Sequence, residues 1–399
     1  MRYNFDKVID RSGTSAEKVE GLKHIWGRTD LIPLWVADMD FATAPFVTDA
    51  IRKRCENEVL GYTGKPDSYY NAIINWVKQR YDLVVAKEMI NFVPGIVPGI
   101  GMAMNCFTQK GDKVMIQPPV YHPFAWVTTR NERTLVTNPL KWENGMYRMD
   151  LDAFRELIKG CKLFILCNPH NPGGVVWTEA ELRAIADICY DEKVLVFSDE
   201  IHADLTLPPH THRPFATVSE KARMNSVTFM SPSKAFNMPG LSASHALIFN
   251  EDLRKRFRIY MDAGELDMGH VFAFLSVEAA YSHGTEWLDQ CLAYIQGNID
   301  FVDDFLKNHA PKIKAIRPEA SYLVWLDCRE LKLSQKDLNE FFVDKAHLAL
   351  NDGEMFGKEG IGFMRLNVAS PRCIIEKAMK QLADAYQLYI KVIILSIAS

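Results

Sequence analysis

Short apolar runs alternate with helix-like patterns between about residues 113 and 261 of this chain. The runs are rich in Val, Ile, Leu and Phe and have the length of buried strands. They lie at 113–117, 134–138, 162–167, 194–198, 226–230 and 243–249. Helical periodicity covers 180–191 and 253–261, and Thr178 and Glu181 have capping-box spacing before the first of these helices. This alternation predicts an α/β layer with a mainly parallel sheet flanked by helices.

The pattern changes beyond about residue 285. A long helical stretch at 285–308 precedes a strand at 321–326, a helix at 335–345 and a final helix at 370–388. This order predicts a second, smaller α+β domain. We therefore expect a large domain over residues 46–284 and a small C-terminal domain over 285–399. Residues 1–45 contain few periodic positions, and we expect this segment to pack with the small domain.

Composition excludes several classes of protein. Hydrophobic residues make up 48% of the 399 positions and charged residues 24%, a balance typical of a globular rather than a disordered protein. The formal net charge of −4 gives no basis for nucleic-acid binding or a polybasic membrane anchor. No apolar stretch, including the late run at 392–395, approaches the roughly 20 residues of a membrane span. The polar residues 1–13 are unlike a signal peptide.

The cysteine and histidine positions indicate free thiols and no metal site. None of the eight cysteines forms a C-x-x-C pair, which argues against zinc ribbons and thioredoxin-like redox sites. Cys161 and Cys167 flank an apolar run, as buried free thiols in a reducing compartment would. His210 and His212 stand between prolines without further ligands nearby, so we interpret them as loop residues. These features favour a cytoplasmic protein that binds no metal.

Polar side chains follow four of the predicted strands, at the point where each strand ends. In a doubly wound sheet these ends open onto one crevice in which ligands bind. Each cluster alone could be an ordinary strand-end loop, but four of them at one edge favour a binding site. The residues are Tyr121 after the first strand, Asn168 and Asn171 after the third, Asp199 and His202 after the fourth, and Ser231, Ser233 and Lys234 after the fifth.

Each cluster offers a distinct chemical group. A lysine desolvated beside an apolar strand can form a Schiff base, although Lys234 could also be a surface loop residue. The Asp199 carboxylate at the end of a buried strand needs a partner, which a protonated pyridine, a salt bridge or a helix cap would each supply. Tyr121 follows a proline-rich turn and could either stack on a flat ring or belong to the core. Glycine-rich residues 95–101 precede a helical run, an arrangement that binds phosphate.

Together these groups describe a pyridoxal 5′-phosphate (PLP) site. The chain has no G-x-G-x-x-G and no G-x-x-x-x-G-K-[ST] nucleotide motif. Ser231 and Lys234 also have the S-x-x-K spacing of penicillin-binding proteins, but the K-T-G sequence that this class needs is absent. The sequence therefore favours a PLP enzyme over a nucleotide-binding or acyl-transferring protein.

Longer motifs carry a family resemblance. NPHNPG at 168–173, Asp199 and SPSK at 231–234 resemble the motifs of class I/II aminotransferase-like enzymes, which have PLP fold type I. Within that group the chain is similar to the MalY/PatB-type cystathionine β-lyase subfamily, the cystalysin-like C–S lyases. The motifs of this closer resemblance are WVADMDF at 35–41, LGYT at 60–63, SDEIH at 198–202, AFNMPG at 235–240 and ASYLVW at 320–325. They cover nearly the whole chain, and they imply the type I fold with a large and a small domain.

The resemblance also implies a role for each residue around the PLP ring. Lys234 would hold the cofactor through a Schiff base, Asp199 would pair with the pyridine N–H, and Tyr121 would stack on the ring. These three would be the catalytic residues. Asn171 and His202 would lie beside the ring oxygen O3′.

Further residues would hold the phosphate and the substrate in the same resemblance. Those that bind phosphate would be Ile96 and Val97 through their backbone N–H groups, Ser231, Ser233, and Tyr62 from a partner subunit. Arg365, in GFMRLN at 362–367, would bind the substrate carboxylate together with Asn171. His122 departs from the pattern, because at least one relative has a tyrosine after the stacking tyrosine.

The resemblance implies a homodimeric C–S β-lyase. Such an enzyme cleaves cystathionine, cysteine or related S-conjugates by α,β-elimination to pyruvate, ammonia and a thiol. An aminotransferase is the alternative, because it would use the same cofactor residues and the same removal of the Cα proton. A cofactor-binding regulator without turnover is a third interpretation. Spacing and composition do not separate these functions.

Overall fold

The computed structural model describes residues 2–398, and it describes side chains for residues 2–391. Its strands are β1 Ile32–Pro33, β2 Ile90–Val93, β3 Lys113–Ile116, β4 Thr134–Thr137, β5 Lys141–Glu143, β6 Met146–Arg148, β7 Cys161–Cys167, β8 Leu195–Asp199, β9 Ser226–Met230, β10 Ser244–Leu247, β11 Lys314–Ile316, β12 Leu323–Asp327, β13 Leu348–Ala349, β14 Asn351–Asp352 and β15 Phe363–Asn367. The α-helices are α1 Glu17–Trp26, α2 Pro45–Cys55, α3 Asp67–Tyr81, α4 Ile96–Phe107, α5 Pro123–Arg130, α6 Leu151–Leu157, α7 Glu179–Asp191, α8 Glu220–Met224, α9 Glu251–Ala263, α10 Val271–His283, α11 Thr285–His309, α12 Gln335–Glu340 and α13 Arg372–Ala398.

A large mixed sheet forms the centre of the described chain. Its strand order is β2-β10-β9-β8-β7-β3-β4. The pairs from β9 to β4 are parallel, whereas β10 is antiparallel to both of its neighbours. All five residues of β9 are buried, as a sheet covered by helices on both faces requires. The predicted mainly parallel, helix-flanked sheet is confirmed, with β10 as the reversed strand.

The parallel strands bring their carboxyl ends to one edge of the sheet. Cys167 at the end of β7 is the register partner of Asp199 at the end of β8, and Asp199 in turn is the partner of Phe229 in β9. The polar residues that follow these strands are therefore neighbours in space although they are distant in sequence. This geometry is the reason for the predicted common crevice.

The predicted elements agree with the structure where the sequence is periodic. Strand 226–230 matches β9, and helix α7 begins at the predicted capping box, in which the Thr178 hydroxyl oxygen accepts from the backbone N–H of Glu181 at 3.2 Å. The predicted helix 335–345 is α12 continued by a π-helical turn, Phe341–Lys345. The predicted final helix extends to Ala398 in the structure, and the side chains of the apolar run 392–395 lie outside those described.

Several helices were not among the predicted elements. Helix α10 is apolar on almost every side, and seven of its residues are buried, so its sequence has no amphipathic pattern. Helix α1 lies within residues 1–45, where we expected few regular elements, and it lacks a side-chain N-cap. Its C-terminus is marked by Gly27, which has the left-handed conformation with φ 67°. The expectation of little regular structure was therefore wrong for residues 17–26.

A second sheet follows the large one in sequence. It is antiparallel, has the strand order β11-β12-β15-β14, and carries Arg365 on β15. The N-terminal segment contacts this part of the chain, because β1 pairs with β13. We propose that the division of the chain into residues 1–45, 46–284 and 285–399 follows these two sheets.

One apolar core joins the regions around the two sheets. It contains Trp76 of α3 and Phe274 of α10 from the region of the large sheet. It also contains Leu288 of α11, Leu326 of β12 and Met379 of α13, which surround the second sheet. The region between the sheets is therefore filled by side chains from both sides. No helix among residues 2–398 combines the length and the apolar character that crossing a membrane would require.

Candidate active site

A cavity of about 200 Å³ opens at the carboxyl edge of the large sheet. The strand ends of β7, β8 and β9 bound one side of it, and the start of α4 bounds the other. Most of the residues that the sequence analysis singled out face this cavity. Those that line it are Ile96, Val97, Tyr121, Asn171, Asp199, His202, Ser233 and Lys234.

Lys234 places an amine inside the cavity. Its Nζ donates a hydrogen bond to the backbone oxygen of Ala37 at 2.6 Å. Burial lowers the pKa of this amine to about 8, and the positive charge of Arg365 acts in the same direction, while Asp38 and Asp199 oppose the change. A larger fraction of the amine is consequently neutral and nucleophilic near neutral pH than for an ordinary lysine.

Asp199 is a buried carboxyl group without an ion-pair partner among the described residues. It is 3% exposed, and its Oδ1 accepts a hydrogen bond from the backbone N–H of Ile201 at 3.1 Å. Burial raises the pKa of Asp199 to about 7, and the neighbouring Glu200 adds to the rise. A cationic group placed in the cavity would stabilise the ionised form of Asp199.

The unpaired carboxyl group of Asp199 leads to a stability prediction. Its pKa of about 7 lies above the ordinary value of 3.8, so the folded, cofactor-free protein binds more protons than the unfolded chain between these pH values. Its free energy of unfolding therefore falls as pH rises through this window, by up to ~4 kcal/mol at 1.36 kcal/mol per pH unit. We expect Asp199→Asn to raise the stability of the cofactor-free protein at pH 8 and to leave it nearly unchanged at pH 4. Urea unfolding at both pH values measures the difference, and equal changes at pH 4 and pH 8 would contradict it.

Arg365 is a buried cation with no carboxylate partner among the described residues. It is 3% exposed, and its guanidinium donates to Asn171 Oδ1 at 3.0 Å, to the Trp35 oxygen at 3.2 Å and to Asn351 Oδ1 at 2.6 Å. Its Nε is buried, and no described residue accepts a hydrogen bond from it. Burial lowers the pKa of Arg365 to about 10, so the group remains charged. A buried guanidinium of this kind is suited to binding a carboxylate from a ligand.

The start of α4 presents backbone N–H groups to the cavity. Gly95 precedes the helix with φ 133°, a conformation that other residues rarely adopt, and Ile96 and Val97 form the first helical turn. The N–H groups of a first turn have no acceptor within the helix and favour an anion. Ser233 lines the cavity beside them, whereas Ser231 does not. The Ser231 hydroxyl lies 2.7 Å from the Ala243 oxygen and 2.8 Å from Ser233 Oγ, so Ser231 helps to orient the Ser233 hydroxyl.

Three of the singled-out histidines and one tyrosine have distinct environments. His202 faces the cavity with a buried, unpartnered Nδ1, and burial lowers its pKa to about 3, so the ring is neutral. His122 lies outside the cavity and packs edge-on against Trp126 at 4.4 Å between ring centroids. His212 lies in a loop as predicted, but it is buried and 2.7 Å from Glu200 Oε2.

Tyr62 is 98% exposed and lies on a separate surface of the chain.

Several cavity residues had no role in the sequence analysis. Ala37 contributes its backbone oxygen, which no side-chain pattern can reveal, although it lies in the WVADMDF motif. Ser242 and Ser244 also line the cavity. Their only signal in the sequence is that they closely follow the AFNMPG motif at 235–240.

The family model described as aminotransferase class I and II matches residues 29–382. This match covers the cavity residues and both sheets. The chain belongs to this family.

Relatives of this family member resemble it over nearly their whole length. It is 38% identical over 384 residues to cystathionine β-lyase PatB of Bacillus subtilis, which covers 96% of this chain and 99% of the relative. The crystal structure of cystalysin from Treponema denticola, which contains PLP, has a TM-score of 0.94 and 34% identity and covers 97% of this chain and 99% of its own. A PLP-bound C–S lyase from Staphylococcus hominis has a TM-score of 0.89 and 36% identity, with 97% and 98% coverage. The fold is the PLP-dependent type I fold that the motifs imply.

The cavity of this family member fits PLP in its chemistry. Asp199 lacks a cation that a protonated pyridine nitrogen would supply, and His202 Nδ1 lacks a partner. The first turn of α4 offers N–H groups for a phosphate, and the Lys234 amine can bond to an aldehyde carbon. Each polar part of PLP therefore has a complementary group in the cavity.

Proposed function

We propose that this chain is a PLP-dependent C–S β-lyase. It would cleave cystathionine, cysteine or a related S-conjugate by α,β-elimination, and with water it would yield pyruvate, ammonia and a thiol. The names of most of the similar proteins support this function over an aminotransferase, although a Clostridium difficile protein of known structure that is 40% identical to the chain carries an aminotransferase name. Cystathionine β-lyase PatB is 38% identical and the Staphylococcus hominis C–S lyase 36%, whereas an aspartate aminotransferase from Pyrococcus horikoshii is 22% identical.

The observation that carries the proposal is that two cationic side chains, Lys234 and Arg365, lie in one site and neither forms an ion pair with a described carboxylate. Arg365 has no carboxylate partner among the described residues, so it would bind the α-carboxylate of an amino acid. Asn171 accepts a hydrogen bond from Arg365 and also lines the cavity, which links the carboxylate position to the cofactor position. A substrate bound in this way would hold its Cα between the two groups.

Each residue of the site would have a separate role in the reaction. When bound, PLP draws electrons from the substrate Cα and so makes the Cα–H bond acidic. The Lys234 amine, whose pKa is about 8, would remove that proton and could return it to a leaving group. Asp199 would hold a positive charge at the pyridine nitrogen, and Tyr121 would keep the ring plane in place. The neutral His202 would accept or donate a hydrogen bond at the ring oxygen.

Product formation without an amino acceptor tests this function. The purified holoenzyme is incubated with cystathionine and no 2-oxo acid, and pyruvate and free thiol are measured. A C–S lyase releases both in equal amounts over many turnovers. An aminotransferase would turn over only after a 2-oxo acid is added, and a regulator would show the cofactor spectrum with negligible turnover under both conditions. Either of the last two results would contradict the proposal.

Arg365→Lys is expected to weaken substrate capture. Lysine cannot form the two parallel hydrogen bonds that a guanidinium offers to a carboxylate, so kcat/KM should fall about 10- to 100-fold. Steady-state kinetics at equal cofactor loading measure this change. Arg133→Lys is a matched control, because Arg133 is also buried but binds Thr108, Asn105 and Asn131, away from the cavity. An unchanged kcat/KM in Arg365→Lys would place the carboxylate elsewhere.

We also propose a homodimer with shared active sites. Tyr62 is 98% exposed in a surface groove with Lys65 and residues 267–271, and none of the described side chains of its own subunit binds its hydroxyl. In a two-fold dimer each Tyr62 would reach the phosphate position of the partner subunit.

The cysteines, all eight unpaired, support a location in the reducing cytoplasm.

Mixing two variants tests whether Tyr62 acts across the dimer, provided that each variant alone is nearly inactive. Tyr62→Phe and Lys234→Ala would place both lesions in one site of the mixed dimer and leave the other site intact. If subunits exchange freely at equal amounts, about a quarter of the sites are intact, and activity should recover to that level. A mixture of Asp199→Ala with Lys234→Ala is the control, because these lesions occupy separate sites and no recovery is expected. Recovery no greater than in this control would mean that Tyr62 acts within its own subunit or not at all.

A further inference from the structure

Segment 35–41 supplies a backbone oxygen to each of the two cations of the site. The Ala37 oxygen accepts from Lys234 Nζ at 2.6 Å and from the Tyr322 hydroxyl at 2.9 Å. The Trp35 oxygen accepts from Arg365 Nη2 at 3.2 Å. The position of this segment therefore determines where both cations can place their charges.

Two cations outside the segment, Arg11 and Lys18, form ion pairs with the two aspartates inside it. Arg11 contacts Asp38 at 2.6 Å and Asp40 at 3.1 Å. Lys18, which is fully buried, contacts Asp40 at 2.8 Å and Asp38 at 3.6 Å. Because a buried ammonium is costly unless it is paired, this cluster permits little movement of the two carboxylates.

Two asparagine side chains hold the same segment from the other side. Asn367 Nδ2 donates to the oxygens of Val36 and Asp38, each at 2.7 Å. Asn237 Nδ2 donates to the oxygens of Met39 and Phe41 at 3.0 Å and 2.7 Å. Segment 35–41 belongs to no helix or strand, so these side chains take the place of a backbone ladder.

We propose that Asp38 is a positioning residue for Lys234. Its ion pairs with Arg11 and Lys18 fix segment 35–41, and the Ala37 oxygen then holds the free Lys234 amine at the cavity wall. The carboxylate also acts on this amine through its charge. The inference rests on the proposed role of Lys234 as the residue that binds PLP, and it assigns a function to the first acidic residue of the WVADMDF motif.

The charges around Lys234 determine the sign of the expected effect. The amine faces Asp38 from this segment, Asp199 from β8 and Arg365 from β15, and the neutral His202 and Tyr322 complete its surroundings. Burial is the main cause of the lowered pKa of Lys234, and Asp38 opposes it. Loss of the Asp38 charge should therefore lower this pKa further.

The rate of PLP capture by cofactor-free protein measures both position and charge. Capture is followed by stopped-flow absorbance from pH 6 to pH 9, and its rate reaches a limit when the amine is neutral. We expect Asp38→Asn to lower the limiting rate by about 10-fold or more, since small misplacements of a reacting group have effects up to about 100-fold. We expect its pH midpoint to move to lower pH. Arg11→Gln should also lower the limiting rate, because it removes ion pairs to Asp38 and Asp40, but it should leave the midpoint near the parental value because Asp38 keeps its charge. Asp38→Glu should restore the midpoint.

Control variants separate this role from general destabilisation. Arg133→Gln removes a buried cation far from the site and should change neither the limiting rate nor the midpoint. Wild-type capture rates and midpoints in Asp38→Asn would overturn the inference. If Asp38→Asn does not fold, Arg11→Gln provides the test, because Arg11 is partly exposed, and a parental limiting rate in Arg11→Gln overturns the inference. Borohydride reduction and peptide mapping after capture identify the labelled lysine. Label at a lysine other than Lys234 would overturn the proposed function, independently of the rates.

Discussion

Replacement of Lys234 by alanine is expected to reduce kcat by about 1,000-fold or more while PLP still binds. Removal of a positioned general base alone has effects of about 10² to 10⁴, and this change also removes the nucleophile that holds the cofactor. The α4 N-terminus, Asp199 and Tyr121 remain, so PLP should bind without a covalent bond. Pyruvate release from cystathionine measures the loss, and dialysis should remove PLP from the variant but not from the parent protein.

A second lysine provides the control for this experiment. Lys221 is partly exposed and pairs with Asp187 and Asp191, away from the cavity, and Lys221→Ala should retain parental activity. In the parent protein, borohydride should attach the cofactor to the peptide that contains Lys234. Substantial turnover in Lys234→Ala, or attachment to another lysine, would contradict the assignment.

Replacement of Asp199 by alanine is expected to lower kcat by about 100- to 1,000-fold, the range for loss of one well-placed electrostatic partner. The buried carboxylate would keep the pyridine nitrogen protonated, and that positive charge is what stabilises negative charge at the substrate Cα. Without Asp199 the ring would lose its proton in this low-dielectric site. Steady-state kinetics measure the rate, and the absorbance of bound PLP as a function of pH reports the protonation of the ring.

Another buried carboxylate serves as the matched control for Asp199. Asp204 lies five residues later, is also buried, and accepts a hydrogen bond from Trp76 Nε1 at 3.0 Å and another from the Tyr81 hydroxyl. Asp204→Asn should leave kcat of the folded protein nearly unchanged, because Asp204 does not line the cavity. A near-normal kcat in Asp199→Ala would show that the ring is held in its active state by another group.

The Asp199 carboxyl group is expected to favour activity of the holoenzyme and to lower the stability of the cofactor-free protein. Asp199→Asn should stabilise the cofactor-free protein above pH 7 and impair the holoenzyme. A buried group whose charge is unfavourable without its ligand is typical of a site that is built for that ligand. PLP binding should consequently stabilise the parent protein more than it stabilises Asp199→Asn.

The sequence predicted those parts of the fold and site that depend on local pattern. Strand β9 was placed to the residue, because an apolar run between turn residues defines it, and Asp199 and Lys234 follow directly from their strand ends. Helix α10 was not predicted, because burial on all sides removes its periodicity. The Ala37 oxygen was not predicted either, since every residue has one and only the tertiary fold places it beside Lys234.

Other differences arise from contacts between distant segments. The Ser231 hydroxyl contacts the Ala243 oxygen, a partner twelve residues away that strand-end counting cannot place, and its role in binding phosphate stays a prediction. His122, which departs from the family pattern, follows the cavity residue Tyr121, but its ring packs against Trp126. In both cases tertiary contacts set the direction of the side chain, which the sequence does not reveal.

Because the two sheets share one apolar core, the chain cannot be cut between them without exposing that core. A cut after residue 284 would separate Trp76 and Phe274 from Leu288, Leu326 and Met379, which pack in one apolar cluster. Each half would then present a wide apolar face to water, a liability for solubility and for folding alone. The two sheets are thus separate in topology, but we expect that neither half would fold alone.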